Sequence, residues 1–417
     1  MTCDRRSFLI TGAVGLGAFG LRPASARTSL RLFLPFDAAA DDSARTLVVL
    51  QLTGGNDGLS TVVPHGDDVY LKSRTTTRIE PASVLKIDDY RGLHPELKRL
   101  KSGYDAGRLA IVEGCGYPDP IRSHFKSMEV WHTAQARGRS AGSGWIGRIA
   151  EAAGGDASAE FVVHVGSNVP YSVYSAAHPA VSFVTPEGYR WVATDAQDLA
   201  AYKDAGASAT NGSGAAVAGK SQTKKPVLDR LRDVLADAQE SSLKIRKAAA
   251  TYKPKVEYPA DELGSALRAA AAVVSARIGT RVVSVELGNF DSHNNQRRQH
   301  DDCMRRLDAG LGAFLEDLRG TSAGDSTAVV VFSEFGRRVQ ENGSGGTDHG
   351  MAAPMLVAGG KVKGGLYGKH PSMTDLDDGD LGHTTDFRSV YATLIESWLG
   401  LDAAKVLDAT YPKLAFV

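Results

Sequence analysis

"RTLVVLQLTGGNDGLS", Arg45 to Ser60, is an apolar run of strand length that stops at a pair of glycines and then presents Asn56-Asp57. A run that is apolar throughout, without alternation, suits a strand buried on both faces. Glycines at a strand end leading into a loop are where open α/β sheets place ligand-binding groups. The same design recurs in "RLAIVEGCG" (108–116), "TRVVSVEL" (280–287) and "STAVVVFS" (326–333). Helical periodicity falls between these runs, in "LHPELKRLKSGYDAG", "SHFKSMEVWHTAQA", "PVLDRLRDVLADAQESSLKIRKAAA", "ADELGSALRAAAAVVSA" and "RRQHDDCMRRLDAGLGAFLEDLRG". "APMLVAGG" is a short apolar run, and the helix "TDFRSVYATLIESWLG" nearly closes the chain. Strands alternating with helices predict an α/β fold, a mostly parallel central sheet with helices on both faces.

The 417 residues, 42% of them hydrophobic, suffice for one large α/β domain or two smaller ones. With 48 basic and 48 acidic residues the formal charge is zero, which lacks the positive field of a nucleic-acid binder. Residues 1–26, "MTCDRRSFLITGAVGLGAFGLRPASA", carry the twin arginine Arg5-Arg6, a glycine-rich apolar run and a small-residue Ala24-Ser25-Ala26 site. They read as a twin-arginine export signal, too short and glycine-rich in its apolar part to span a bilayer, where about 20 residues are needed. The expectation is a periplasmic or extracellular protein that engages the twin-arginine export machinery, with no transmembrane segment in the mature chain. Residues 27–417 are then one domain, with a flexible insertion near 203–225, where the sequence is small, polar and without apolar pattern. Cys3 leaves with the signal, so Cys115 and Cys303 allow at most one disulfide; both read as small buried residues.

Polar groups gather at the strand ends. The first strand leads to Asp57, the second to Arg122-Ser123-His124, the third to Asp291 and His293, the fourth to Glu334 and, beyond a glycine loop, Asp348-His349. Carboxylates and imidazoles converging from separate strand ends are what a divalent cation requires: imidazole with carboxylate suits zinc, all-oxygen shells suit magnesium, calcium or manganese. Each residue also has a plainer use. Asp57 serves as a turn residue, Ser123 or Asp291 as a helix cap, and Glu334 as a partner of Arg337 or Arg338. Only the ordered set favours chemistry.

That order, with "GGNDGLSTVVP", "RSHFKSMEVW", "FDSHNNQ", "SEFGRRVQENGSGGTDHG" and "TTDFRSVYATLIESWLG", resembles the alkaline phosphatase and sulfatase superfamily, and within it the domain of unknown function 1501 family. The resemblance implies an alkaline phosphatase-like fold. It also implies Asp57 as an early metal ligand, Ser123 as nucleophile, Asp291 and His293 as a later ligand pair, Glu334 as the strand-end carboxylate and His349 as the last ligand, with Asp348 a ligand or the group that orients one. Two departures stand out. Glu334-Phe335 replaces an Asp-His pair, so one imidazole is absent unless His349 or His124 substitutes. Pro118 of "PDPIR" occupies the sulfatase nucleophile position, which argues against formylglycine chemistry. The implied activity is hydrolysis or transfer of phosphate or sulfate esters, on a small-molecule or polymer substrate. One or two cations would activate Ser123, and His124 or Arg122 would steady the anion. The alternative is a catalytically degenerate binding or assembly protein of the cell envelope.

Overall fold

The run that opens at Arg45 is strand β1 (Thr46–Leu52), and all of its residues are buried. The computed structural model describes residues 44–135, 142–190 and 227–417, the last with side chains from 237 onward. The expected export signal and the 203–225 insertion lie outside the described residues. Alternate side chains of β1 serve two cores. Val48, Leu50 and Leu52 belong to one, Leu47 and Val49 to the other, so both faces are apolar because both are covered.

Ten further strands matter here: β2 (Leu109–Gly116), β3 (Val162–Val165), β4 (Val181–Phe183), β5 (Val282–Leu287), β6 (Thr327–Phe332), β7 (Arg337–Glu341), β8 (Thr347–His349), β9 (Ala353–Gly359), β10 (Gly365–Tyr367) and β11 (Thr385–Asp386). The central sheet runs β10-β2-β9-β6-β1-β5-β3-β4, with β11 also on β2, and β7 pairs with β8 in a separate hairpin. β1 is parallel to β5 and β6, β3 is parallel to β5 and β4, and β10 and β11 are parallel to β2. β9, the "APMLVAGG" run, is antiparallel to both neighbours. The reason is local: the chain leaves β6, makes the β7–β8 hairpin and returns directly, without the crossover that a parallel strand needs.

Helices cover both faces, as the alternation predicts. On one side lie α1 (Lys98–Asp105), α5 (Glu262–Ser275) and α6 (Gln296–Leu318), which contribute Leu100, Leu267, Met304 and Phe314 to the first core. On the other lie α2 (His124–Thr133), α3 (Trp145–Ala153) and α7 (Phe387–Thr393), with Trp131, Trp145 and Tyr391. A further helix, α4 (Val227–Thr251), precedes α5. The fold class is as read from the sequence: α/β, with a mostly parallel sheet between two helical layers. Sequence reading assigned no element between the end of α2 and residue 202, yet α3, β3 and β4 stand there. Cys115 and Cys303 are both buried and unpaired.

Candidate metal centre

β6, β1 and β5 are adjacent and parallel, so their carboxyl ends meet at one edge of the sheet. Gly54 and Gly55 follow β1 with φ of +119° and +78°, a backbone that glycine adopts without strain. A Cβ on Gly54 would lie 2.6 Å from the Asp291 nitrogen, and one on Gly55 would strike the Phe335 ring at 2.2 Å. The glycine pair is therefore what lets the three loops close together.

At that edge His124, from the start of α2, meets Asp291 and His293 after β5 and His349 from the β7–β8 hairpin. One ligand atom each from His124, Asp291 and His349 falls within 4.8 Å of the others, and no further such group occurs among the described residues. The imidazoles share an orientation. His124 Nδ1 donates to Glu334 Oε1 at 2.9 Å, and His349 Nδ1 donates to the Arg122 carbonyl at 2.8 Å. His293 Nδ1 faces Asp348 Oδ1 at 3.5 Å. Each ring thus turns Nε2 toward Asp291: His293 Nε2 and His349 Nε2 stand 3.0 and 3.2 Å from Oδ1, and His124 Nε2 stands 3.5 Å from Oδ2. The Nε2 atoms of His293 and His349 are 2.9 Å apart. An acceptor on Nδ1 leaves the Nε2 lone pair for a ligand-binding role.

Charge is arranged to match. Burial raises the Asp291 carboxyl, but Arg337, bonded to it at 2.8 Å, leads the neighbours that outweigh burial and hold it at about 2. The Glu334 hydrogen bond raises His124, against burial, and burial lowers His349. Burial likewise pushes Glu334 up, and the His124 hydrogen bond and the Gly54 N–H at 2.9 Å more than offset it, so it stays ionised. His124 Nε2 is buried and makes no hydrogen bond.

Three of the expected site residues have their side chains outside the cluster of His124, Asp291 and His349. Asp57 is fully buried and its oxygens are engaged: Arg74 grips both, and Ser60 Oγ and Gln296 Nε2 donate to Oδ2 at 2.6 and 2.5 Å. It is a structural ion pair and stands outside the cluster. Glu334 lies behind His124 and orients it rather than joining the inner set. Arg122, expected to steady a substrate anion, has its guanidinium bound at Asp378 (2.9 Å) and Asp380 (2.5 Å), while its carbonyl accepts from His349. Asp348, expected as a ligand or as the group that orients one, has its Oδ1 3.5 Å from His293 Nδ1. His124, expected to steady the anion or, as one of two candidates with His349, to replace the absent imidazole, stands in the cluster with Asp291 and His349. Ser123 is the exposed N-cap residue of α2, and its side chain makes no capping bond. Phe335, where the superfamily pattern has histidine, is buried with its ring 4.9 Å from that of His124 and 4.6 Å from that of His349.

Two residues went unread as parts of the site. Arg74 carries no sequence signal, since its partner is 17 residues away and on another element. Arg337, which the sequence offers as a partner of Glu334, bonds Asp291 instead. Its buried guanidinium binds Gly55 O, Gly54 O and Thr347 O at 2.6 to 2.9 Å besides Asp291, tying all three loops.

Fold and cluster together define an α/β protein with a histidine–aspartate centre at the carboxyl edge of its sheet. The chain belongs to the family described as protein of unknown function, DUF1501, whose pattern matches residues 110–410. None of the curated proteins matches it. Among solved structures the chain is similar to i-CgsB, in complex with k-i-k-neocarrahexaose, at 12% identity and a TM-score of 0.39 over 88% of this chain and 75% of that one. It is similar to a protein in the alkaline phosphatase superfamily from Vibrio parahaemolyticus (10%, TM-score 0.38, 88% and 69%). The lipoteichoic acid synthase LtaP from Listeria monocytogenes gives 10% and 0.38, over 88% and 76%. Similarity of this degree decides nothing about chemistry, which rests on the site itself.

Proposed function

We propose that the protein is an exported, metal-dependent hydrolase or transferase of phosphate or sulfate esters. The observation that carries this reading is the shared orientation of His124, His293 and His349, each with Nδ1 toward an oxygen and Nε2 toward Asp291. His349 supplies the sharpest argument. With its Nδ1 proton on the Arg122 carbonyl, its Nε2 lone pair faces the Asp291 carboxylate at 3.2 Å. Two acceptors in contact repel each other, and a shared cation removes that repulsion. The orphaned, buried Nε2 of His124 fits the same explanation. Nitrogen and carboxylate donors in this proportion favour zinc over magnesium or calcium.

His124, Asp291, His293 and His349 would hold the cation, oriented by Glu334, Asp348, Arg337 and the Arg122 carbonyl. When bound, it would polarise an ester oxygen and make a nearby hydroxyl or water more acidic. The chain's own groups do the rest. Ser123, its hydroxyl exposed and not used as a cap, attacks phosphorus or sulfur in line. The ester oxygen leaves with the bonding pair and takes a proton, and water cleaves the resulting seryl ester. The first turn of α2 offers its N–H groups to the anion. The pairing of Asp57 with Arg74 favours a second reading, a binding protein with a single cation. The test is metal content of the purified protein together with a panel of phosphate and sulfate esters. Metal lost in His349→Ala, and turnover lost in Ser123→Ala with metal retained, support the enzyme. Bound metal without turnover of any ester supports the binding protein, and protein that acquires no cation overturns both.

Export rests on the leader sequence alone. Among the described residues no helix is long and apolar enough to cross a membrane.

A further inference from the structure

The β7–β8 hairpin, which carries Asp348 and His349, is mounted on the loop of residues 74–77. Arg74 donates to the carbonyls of Val339 and Arg338 at 3.0 and 2.8 Å. At the end of β7 the Glu341 carboxylate accepts the backbone N–H groups of Thr75, Thr76 and Thr77 at 2.8 to 3.1 Å, and it accepts their hydroxyls as well. Hydrogen bonds to an ionised acceptor are the strong ones, so Glu341 is a fixed point. Asn342 follows it, and every hydrogen-bonding position of its amide is used. Oδ1 accepts from Ser344 N and Gly346 N at 2.9 and 3.1 Å, which identifies the oxygen. Nδ2 donates to the His293 carbonyl at 3.0 Å and to Asp348 Oδ1 at 3.1 Å. That same Oδ1 stands 3.5 Å from His293 Nδ1. The Asp348 side chain is 58% exposed, and no other described residue donates a hydrogen bond to its carboxylate.

We infer that Asn342 is a positioning residue of the proposed metal centre: it holds the His293 carbonyl and the Asp348 carboxylate together, and so fixes the acceptor behind the His293 ring. This assignment rests on the reading of His293 as a cation ligand. An exposed carboxylate without such a donor turns freely, and the imidazole it faces then loses its direction toward Asp291. Groups that orient a ligating imidazole are worth about 10- to 100-fold in metal affinity. The plainer use of Asn342 is to turn the hairpin loop through Oδ1 alone, a common task for asparagine. Asn342→Asp separates the two uses. Aspartate keeps an oxygen for Ser344 N and Gly346 N, but it has no donor for His293 or Asp348.

The experiment is competition for zinc between the full chain and a chelator, with the melting temperature of the zinc-free protein as control. Asn342→Asp should melt like the parent and bind zinc about tenfold more weakly or worse. Asn342→Ser, which is uncharged, should lose as much, so that the loss is not an effect of added charge. Asp348→Ala should weaken zinc as well. Because Asn342 acts through Asp348, Asn342→Ser combined with Asp348→Ala should bind no more weakly than Asp348→Ala alone. Parent-like affinity in Asn342→Asp and Asn342→Ser, or losses that add in the combined variant, overturn the assignment and leave the metal centre standing. A parent that takes up no zinc overturns the reading of the centre and this assignment with it.

Discussion

Asp57 and Glu334 are both buried carboxylates at strand ends, and their neighbours give them different tasks. Arg74 neutralises Asp57, so Asp57→Asn leaves a buried guanidinium unpaired. That should cost about 3–5 kcal/mol in urea unfolding, with bound metal retained by the protein that folds. Burial raises the Asp57 carboxyl, and Arg74 brings it to about 2, below its ordinary 3.8. A depressed folded value means stability that is complete above pH 4 and lost as pH falls toward 2. The parent should therefore forfeit about 2 kcal/mol over that interval that the asparagine variant does not. Glu334→Gln keeps the shape but weakens the acceptor that fixes His124. Metal affinity should fall about 10- to 100-fold, read by competition with a chelator, while the fold persists. Unchanged affinity would remove Glu334 from the orienting shell.

At the scale of elements, the centre depends on the close approach of loops from separate strands. Gly54→Ala places a side chain at positive φ and 2.6 Å from the Asp291 backbone. It should destabilise by more than about 1 kcal/mol and weaken cation binding at the same time. Stability lost with affinity intact would show that Asp291 is placed by other contacts. The turn around Asp378-Gly379-Asp380 is tied to both Arg122 and Arg338, at 2.5 to 3.6 Å. Through the Arg122 carbonyl it reaches His349. Asp380→Asn should consequently lower metal affinity several-fold, measurable by the same competition, without touching the inner set.

For the whole molecule, a cation held as proposed would compete with protons for the same imidazoles. The Glu334 hydrogen bond lifts His124 above its ordinary 6.5, with Glu334 and Asp291 charges adding to it. A raised value means the ring holds its proton to higher pH, so cation affinity should already be falling as pH drops through that range. Equilibrium dialysis from pH 8 to 5 checks this; a flat profile would contradict imidazole ligation. Stripping the cation should lower the melting temperature, since a ligand bound to the folded state alone stabilises it. Replacing Arg5 and Arg6 together by lysine should leave unprocessed precursor in the cytoplasm, visible by fractionation.

The sequence by itself determined the five middle strands of the sheet, β2, β9, β6, β1 and β5, and most of its helical layers, because unbroken apolar runs and helical periodicity are local patterns that burial on two faces writes directly into the chain. It also marked the edge where polar groups collect, since strand ends are local too. Asp291, His293, His349 and His124, which the fold brings together, stand out in the sequence for that reason. Tertiary structure alone decided which carboxylates stand among the imidazoles and which stand apart from them. Asp57 meets Arg74, Arg122 meets Asp380, and Glu334 meets His124 across sequence separations of 17, 258 and 210 residues. Such pairings depend on how the loops between strands cross, and no periodicity within a single segment encodes that.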